Sequence, residues 1–230
     1  MVIGSGMIAK GFSKYADDKN VVVFASGVSN SSSQERHDYE REETLLLQTI
    51  AQHPEKMLLY FSTCSIYDPS LQQTQYVRHK LKMEALIQSR AASYIIFRVS
   101  NPIGYTQNTH TVLNFFATHI RQQAHFTVWQ YASRNLIDME DVVKICDQLV
   151  RGETSRNSIV NIANPVNYPV TAIIQAIEKH FSIKGNYNLA EKGNSPIIDT
   201  TAIQPLFSRL HIAFNNDYLD ALLKKYFPLP

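Results

Sequence analysis

Short apolar runs alternate with stretches of helical period through the first half of this chain. Met1–Ile3 is apolar and ends at Gly4-Ser5-Gly6, after which a helical pattern runs to about Tyr15. Val21–Ala25 is apolar throughout, as expected of a strand buried on both faces of a parallel sheet. A polar loop, Ser26–Ser33, leads to a helix from about Tyr39 to His53, with Leu45, Leu46, Thr49 and Ile50 on one face. Met57–Phe61 reads as the next buried strand, and Asp68-Pro69-Ser70 breaks the chain. A helix carrying Tyr76 and Lys80 then runs to about Ala92, and Tyr94–Val99 is a strand. This alternation predicts an α/β fold: a doubly wound parallel sheet with right-handed crossovers.

Beyond Gly104 the rhythm loosens. The pattern predicts a helix near Val112–Arg121, strands at Phe126–Trp129 and Arg134–Ile137, and a helix from Glu140 to Val150. Ser158–Ile162 reads as a strand, Val170–Phe181 as an amphipathic helix, Asn186–Pro196 as polar loop and Leu219–Phe227 as a closing helix. No internal repeat or low-complexity linker is visible, only the run Ser31–Ser33. The division expected is one domain over 1–230, with residues 1–104 forming the main sheet and 105–230 completing it and adding a small lobe.

Composition narrows the function classes. A net charge of +2 with interspersed acids and bases leaves no electrostatic footprint for nucleic acid. The two cysteines, Cys64 and Cys146, sit in apolar segments and read as reduced core residues, which suits a cytoplasmic protein. No signal peptide or apolar run of membrane-spanning length is visible. His79, His110, His119 and His125 have no metal-ligand spacing, so no metal is expected.

Tyr76-Val77-Arg78-His79-Lys80 carries the sharpest chemical signal. A phenol and an ammonium at i and i+4 share a helix face. A neighbouring ammonium favours the phenolate, which is how a tyrosine becomes an acid/base at neutral pH. Gly4-x-Gly6-x-x-Ala9, between a strand and a helix, is the context a dinucleotide turn requires.

In order along the chain, VIGSGMIA, FASGVSNS, FSTCSIYD, YVRHKLKMEALI, FRVSNPIG, SRNLIDMEDVVK and IVNIANP resemble the segments of the extended short-chain dehydrogenase/reductases. These are the NAD-dependent nucleotide-sugar epimerases and dehydratases, of Rossmann-like fold with a small C-terminal substrate-binding lobe. The resemblance implies that Tyr76 is the acid/base, Lys80 its activator and ribose ligand, and Thr63 the hydroxyl partner, with Ser65 the alternative. It places Gly4, Gly6, Met7, Ile8, Ser26 and Gly27, with Tyr76 and Lys80, against NAD or NADP. Asn101 and Arg134 fall where the family grips the nucleotide diphosphate of its substrate. An alternative for Arg134 is a surface pair with Asp138 or Asp141. Glu84 reads as a solvated or structural partner of Lys80, and Arg98 as structural.

Two departures qualify the match, a short first strand ending at Gly4 and a missing stretch after it. The interval before Val21–Ala25 lacks two strands and a helix that the family carries, including the position that reads the adenosine ribose. A smaller sheet with an open adenosine side follows, and nothing chooses NAD over NADP. Cys64 and Ser65 stand where dehydratases carry Asp-Glu, which disfavours dehydration. The expected activity is epimerisation or reduction of a nucleotide-activated sugar by hydride transfer, with a possible homodimer through the Tyr76 helix. The alternative is a catalytically degraded relative acting as a dinucleotide sensor or assembly partner.

Overall fold

The computed structural model describes residues 1–28, 30–31, 33, 35–106, 108–109, 111–152 and 155–229. His110, and Ser29 and Ser32 of the polar loop, lie outside the described residues. Five parallel strands form the main sheet: β1 (Val2–Ile3), β2 (Val21–Phe24), β3 (Met57–Thr63), β4 (Tyr94–Val99) and β9 (Ser158–Ile162). Their order is β1-β2-β3-β4-β9. Helices α1 (Met7–Gly11), α2 (Arg36–Gln52), α3 (Gln75–Arg90) and α5 (Met139–Arg151) pack on its two faces.

The side-chain alternation of a strand explains that layering. Val21 and Val23 of β2 face a core shared with Phe12 just beyond α1 and with Val142, Ile145 and Cys146 of α5. Val22 and Phe24 face the opposite way, onto Leu46 of α2 and Met83 and Ile87 of α3. Both sets are buried, so the strands read as unbroken apolar runs.

The strand order has a consequence for handedness. The sheet grows in one direction, yet α1 and α5 cover one face and α2 and α3 the other. Crossovers in one direction over opposite faces have opposite hands. Uniformly right-handed connections, expected from the sequence, are therefore impossible here, and two of the four run against the usual preference. Among the described residues no strand lies beyond β1, so the order does not reverse there and β1 is an edge strand.

The remaining elements build a second core beside the sheet. β5 (Asn101–Ile103) pairs with β8 (Leu136–Asp138), β7 (Ser133–Arg134) with β10 (Tyr168–Pro169), and β6 (Phe126–Trp129) with β11 (Tyr187–Ala190). Helices α4 (Val112–Gln122), α6 (Val170–Phe181) and α8 (Tyr218–Tyr226) bury Leu113, Ile120, Ile173, Ile177 and Leu222 together. The short α7 (Gln204–Arg209) lies back on the main core. The segment read as polar loop, Asn186–Pro196, contains β11, because its backbone pairs in parallel with β6 whatever its side chains.

Candidate functional site

The predicted residues gather at the carboxyl ends of the parallel strands, where open α/β sheets bind their ligands. Gly4 follows β1 with φ +127°, and a Cβ there would lie 2.3 Å from the Ala25 carbonyl oxygen. Only glycine lets the turn close this tightly on the end of β2. Gly6 precedes α1, and a Cβ there would meet nothing within 4 Å, so this side of the turn is open. Met7 and Ile8 turn their side chains into the main core, Met7 against Gly104, leaving the turn to act through its backbone. Ser26 is gripped from outside by Arg41 of α2, whose guanidinium donates to its hydroxyl at 3.0 Å and its carbonyl at 3.1 Å.

Beneath Gly27 lies a buried charged cluster centred on Glu42 of α2. The Lys80 Nζ, 2 % exposed as a residue, donates to Glu42 Oε1 at 2.9 Å and to the Tyr60 hydroxyl at 3.1 Å. The same Oε1 accepts from Tyr60 at 2.6 Å, and Oε2 accepts from the Val28 N–H at 2.7 Å. His79 Nε2 stands 3.1 Å from Oε2 but out of line for a hydrogen bond. Burial pushes the Glu42 carboxyl up, but Lys80 first, and then its other close contacts, outweigh burial and hold it well below the usual carboxylate range. Burial, then the Glu42 charge, pushes the Tyr60 phenol well above its ordinary value. A Cβ on Gly27 would fall 2.6 Å from Lys80 Nζ and 2.9 Å from Glu42 Oε1, so any side chain there would have to push the pair aside.

Tyr76 is half-buried one turn before Lys80, with the ammonium 6.0 Å from its ring centroid. The Thr74 hydroxyl caps this helix by accepting from the Val77 N–H, which fixes where the first turn places Tyr76. Thr63 ends β3, where its hydroxyl accepts from the Ser65 N–H at 3.0 Å and donates to the Ser65 hydroxyl at 2.9 Å. The two alternatives for the hydroxyl partner are thus hydrogen-bonded to each other. Glu84 does not partner Lys80. It is buried and binds Arg98 of β4 at two points, because Lys80 is drawn to the deeper carboxylate on α2.

The two substrate candidates differ in what their side chains bind. The Asn101 side chain donates to the Asn135 carbonyl at 2.8 Å, a link between β5 and the strand pair beside it. Asn135 is itself buried and donates to the Asn164 carbonyl at 2.7 Å. Arg134 is half-buried, yet among the described residues its side chain donates to the neighbouring Ser133 carbonyl, at 2.8 Å. Burial lowers its guanidinium value, partly offset by Asp68. Asp138 caps α5 and pairs with Lys225, and Asp141 meets Tyr218 and Lys144, so neither takes Arg134. Among the described residues no carboxylate lies within ion-pair distance of Arg134.

The model of the NAD dependent epimerase/dehydratase family matches residues 12–163, well over half of the chain. The chain belongs to that family. Its solved neighbours agree in fold. It resembles UDP-N-acetylglucosamine 4-epimerase from Methanobrevibacter ruminantium, in complex with UDP-N-acetylmuramic acid, at 14% identity and a TM-score of 0.69, covering 91% of this chain and 76% of that one. UDP-glucuronic acid 4-epimerase from Bacillus cereus, in complex with UDP-glucuronic acid and NAD, matches at 16% identity and a TM-score of 0.70, covering 91% and 75%. RMD from Pseudomonas aeruginosa, complexed with NADPH, matches at 15% identity and a TM-score of 0.67, covering 90% of each chain. No curated protein matches the sequence.

Sequence reasoning missed Glu42, Tyr60 and Arg41. Glu42 had a legible signal, since it shares a stripe with Tyr39, Leu46 and Thr49 and so lies on the buried face of α2. Among the described residues no helix is long and apolar enough to cross a membrane, and no group of His, Cys, Asp and Glu is placed to hold a metal.

Proposed function

We propose that this protein is an NAD(P)-dependent epimerase or reductase of a nucleotide-activated sugar. The observation that carries the reading is the placement of Tyr76 and Lys80 one helical turn apart, at the strand ends that also hold the Gly4 turn and Thr63. The residues present fit a dinucleotide. The tight Gly4 turn and the open side of Gly6 suit a pyrophosphate, Ser26 and Gly27 a ribose, and Tyr76 with Lys80 the nicotinamide end. The nicotinamide, when bound, supplies the acceptor and donor of hydride.

The chain's own residues supply the rest. Tyr76 takes the proton from a sugar hydroxyl as the carbinol carbon is oxidised, and returns it on reduction. Thr63 or Ser65 hydrogen-bonds the same sugar oxygen and holds it beside Tyr76. Arg134 offers a half-buried guanidinium with no carboxylate partner among the described residues, suited to bidentate contact with the substrate's phosphates. The neighbours described above carry UDP-sugars with NAD, or NADPH, which supports the substrate and cofactor classes. The absence of an Asp-Glu pair after Thr63 disfavours dehydration.

One observation favours a second reading. Lys80 is buried and claimed by Glu42, and β1 is the sheet's edge, so a relative that binds a dinucleotide without turning it over would have the same features. Turnover separates the two. A panel of UDP- and GDP-sugars with NAD(P)⁺ or NAD(P)H should give epimer or reduced product with the unsubstituted protein and none with Tyr76→Phe. Equal turnover by both proteins would remove Tyr76 from the mechanism, and none by either would favour the sensor.

A further inference from the structure

We propose that Glu42 is a positioning residue for the site: a buried counter-ion that fixes the Lys80 ammonium beneath Gly27 and cancels most of the positive charge Tyr76 would otherwise meet. The inference deepens the reading above and rests on it, since it concerns how Tyr76 is activated.

The geometry sets the argument. Lys80 Nζ is 2.9 Å from Glu42 Oε1 and 6.0 Å from the centre of the Tyr76 ring. A charge with its opposite this close acts at the longer distance as a dipole, which falls away faster than a lone charge. Glu42 has no freedom to swing aside, because Tyr60 and the Val28 N–H bind the same carboxylate from β3 and the loop after β2. Water cannot screen the pair either, as the side chains of Glu42 and Lys80 are 0% and 3% exposed.

The other titratable groups around Tyr76 do not replace that charge. Tyr39 of α2 and Tyr60 of β3 both interact electrostatically with Tyr76, and both are raised, chiefly by burial. They stay neutral at the pH where a catalytic phenol must ionise. His79, on the same helix, turns its ring to Tyr39 and Glu42. Glu84 is occupied by Arg98. The charge on Tyr76 is therefore decided by the balance of Lys80 and Glu42.

The test follows the ionisation of Tyr76 in protein labelled with carbon-13 at the tyrosine ζ position. Its signal is identified by its loss in Tyr76→Phe, and the Tyr60 signal, whose hydroxyl donates to Glu42, should move with Glu42→Gln. Glu42→Gln keeps the shape and removes the counter-charge, so Tyr76 should ionise at least one pH unit lower, a tenfold change. A smaller change overturns the proposal. Glu42→Gln leaves a buried ammonium unpaired, which by itself destabilises the fold, so Glu42→Gln with Lys80→Met supplies the second test. Removing both charges should move Tyr76 by less than one unit, whereas a rise of a unit or more would mean that Lys80 acts on Tyr76 uncancelled. The measurement needs neither cofactor nor sugar. Failure of the acid/base assignment itself would appear instead as full turnover in Tyr76→Phe.

Discussion

Glu84 and Arg98 join α3 to β4 by two parallel contacts, Oε2 to Nη2 at 2.6 Å and Oε1 to Nε at 2.9 Å. The Ser62 hydroxyl donates to the same Oε1 at 2.5 Å, and Tyr67 takes a further Arg98 donor at 3.2 Å. The pair ties the helix that carries Tyr76 to the centre of the sheet, beneath the strand end that carries Thr63. Planar, two-point pairing suits Arg and cannot be copied by Lys.

Arg98→Met should therefore cost stability rather than chemistry. Leaving the buried Glu84 carboxylate without its partner should lower the unfolding free energy by about 2–3 kcal/mol, less than for a fully buried pair because Arg98 keeps some solvent contact. Urea denaturation checks the value. A loss of activity with unchanged stability would move Arg98 into the site.

The two glycines of the first turn should behave differently. Gly4→Ala meets both a positive φ and the Ala25 carbonyl, and backbone strain alone should cost roughly 1–3 kcal/mol. Gly6→Ala meets nothing within 4 Å, so the protein should fold normally. If the open side of the turn receives a pyrophosphate, the same methyl should weaken dinucleotide binding. Thermal unfolding and calorimetry on the two variants separate these outcomes.

Arg134→Gln should leave stability within about 1 kcal/mol of the unsubstituted protein, since the guanidinium is partly desolvated for one carbonyl contact. Binding of a nucleotide diphosphate should weaken at least tenfold. A variant that binds as well as the parent would leave Arg134 without a role.

Glu42 makes an acid-side prediction whose sign is fixed by its contacts. Its carboxyl lies well below the ordinary 4.5 in the folded protein, where burial is outweighed by Lys80 and the other donors. A depressed carboxyl contributes stability above its unfolded value and loses it as pH falls toward the folded value. Stability should thus be fully present above about pH 5 and fall progressively below it. The gap between the unsubstituted protein and a folded Glu42→Gln should narrow over the same range. A gap that widens on acidification would contradict the assigned pairing.

Most of the sheet was legible because its central strands are buried on both faces and nearly all apolar. Tyr94–Val99 and Ser158–Ile162 match the pattern residue for residue. β11 was not legible, since Asn188 interrupts it and the strand exists only through its pairing with β6. The helix bearing Tyr76 and Lys80 could be read, but the partner of Lys80 could not. The i,i+4 spacing points to Glu84, whereas Lys80 bonds Glu42 across to another helix and Glu84 bonds a strand. Arg41-Glu42-Glu43 reads as a solvated charge run, and only the helical phase of Tyr39, Leu46 and Thr49 marks the middle residue as buried. The right-handed expectation failed for a topological reason, because the strands missing beyond β1 leave the α1 and α2 crossovers advancing in the same direction over opposite faces.

The central claim is that a dinucleotide site survives in a sheet that ends at β1. Titration of the purified protein with NAD⁺, NADH, NADP⁺ and NADPH, read by calorimetry and nicotinamide fluorescence, tests it most directly. The account predicts micromolar binding of at least one of the four, weakened by Gly6→Ala. No binding of any of them at millimolar concentration would contradict it.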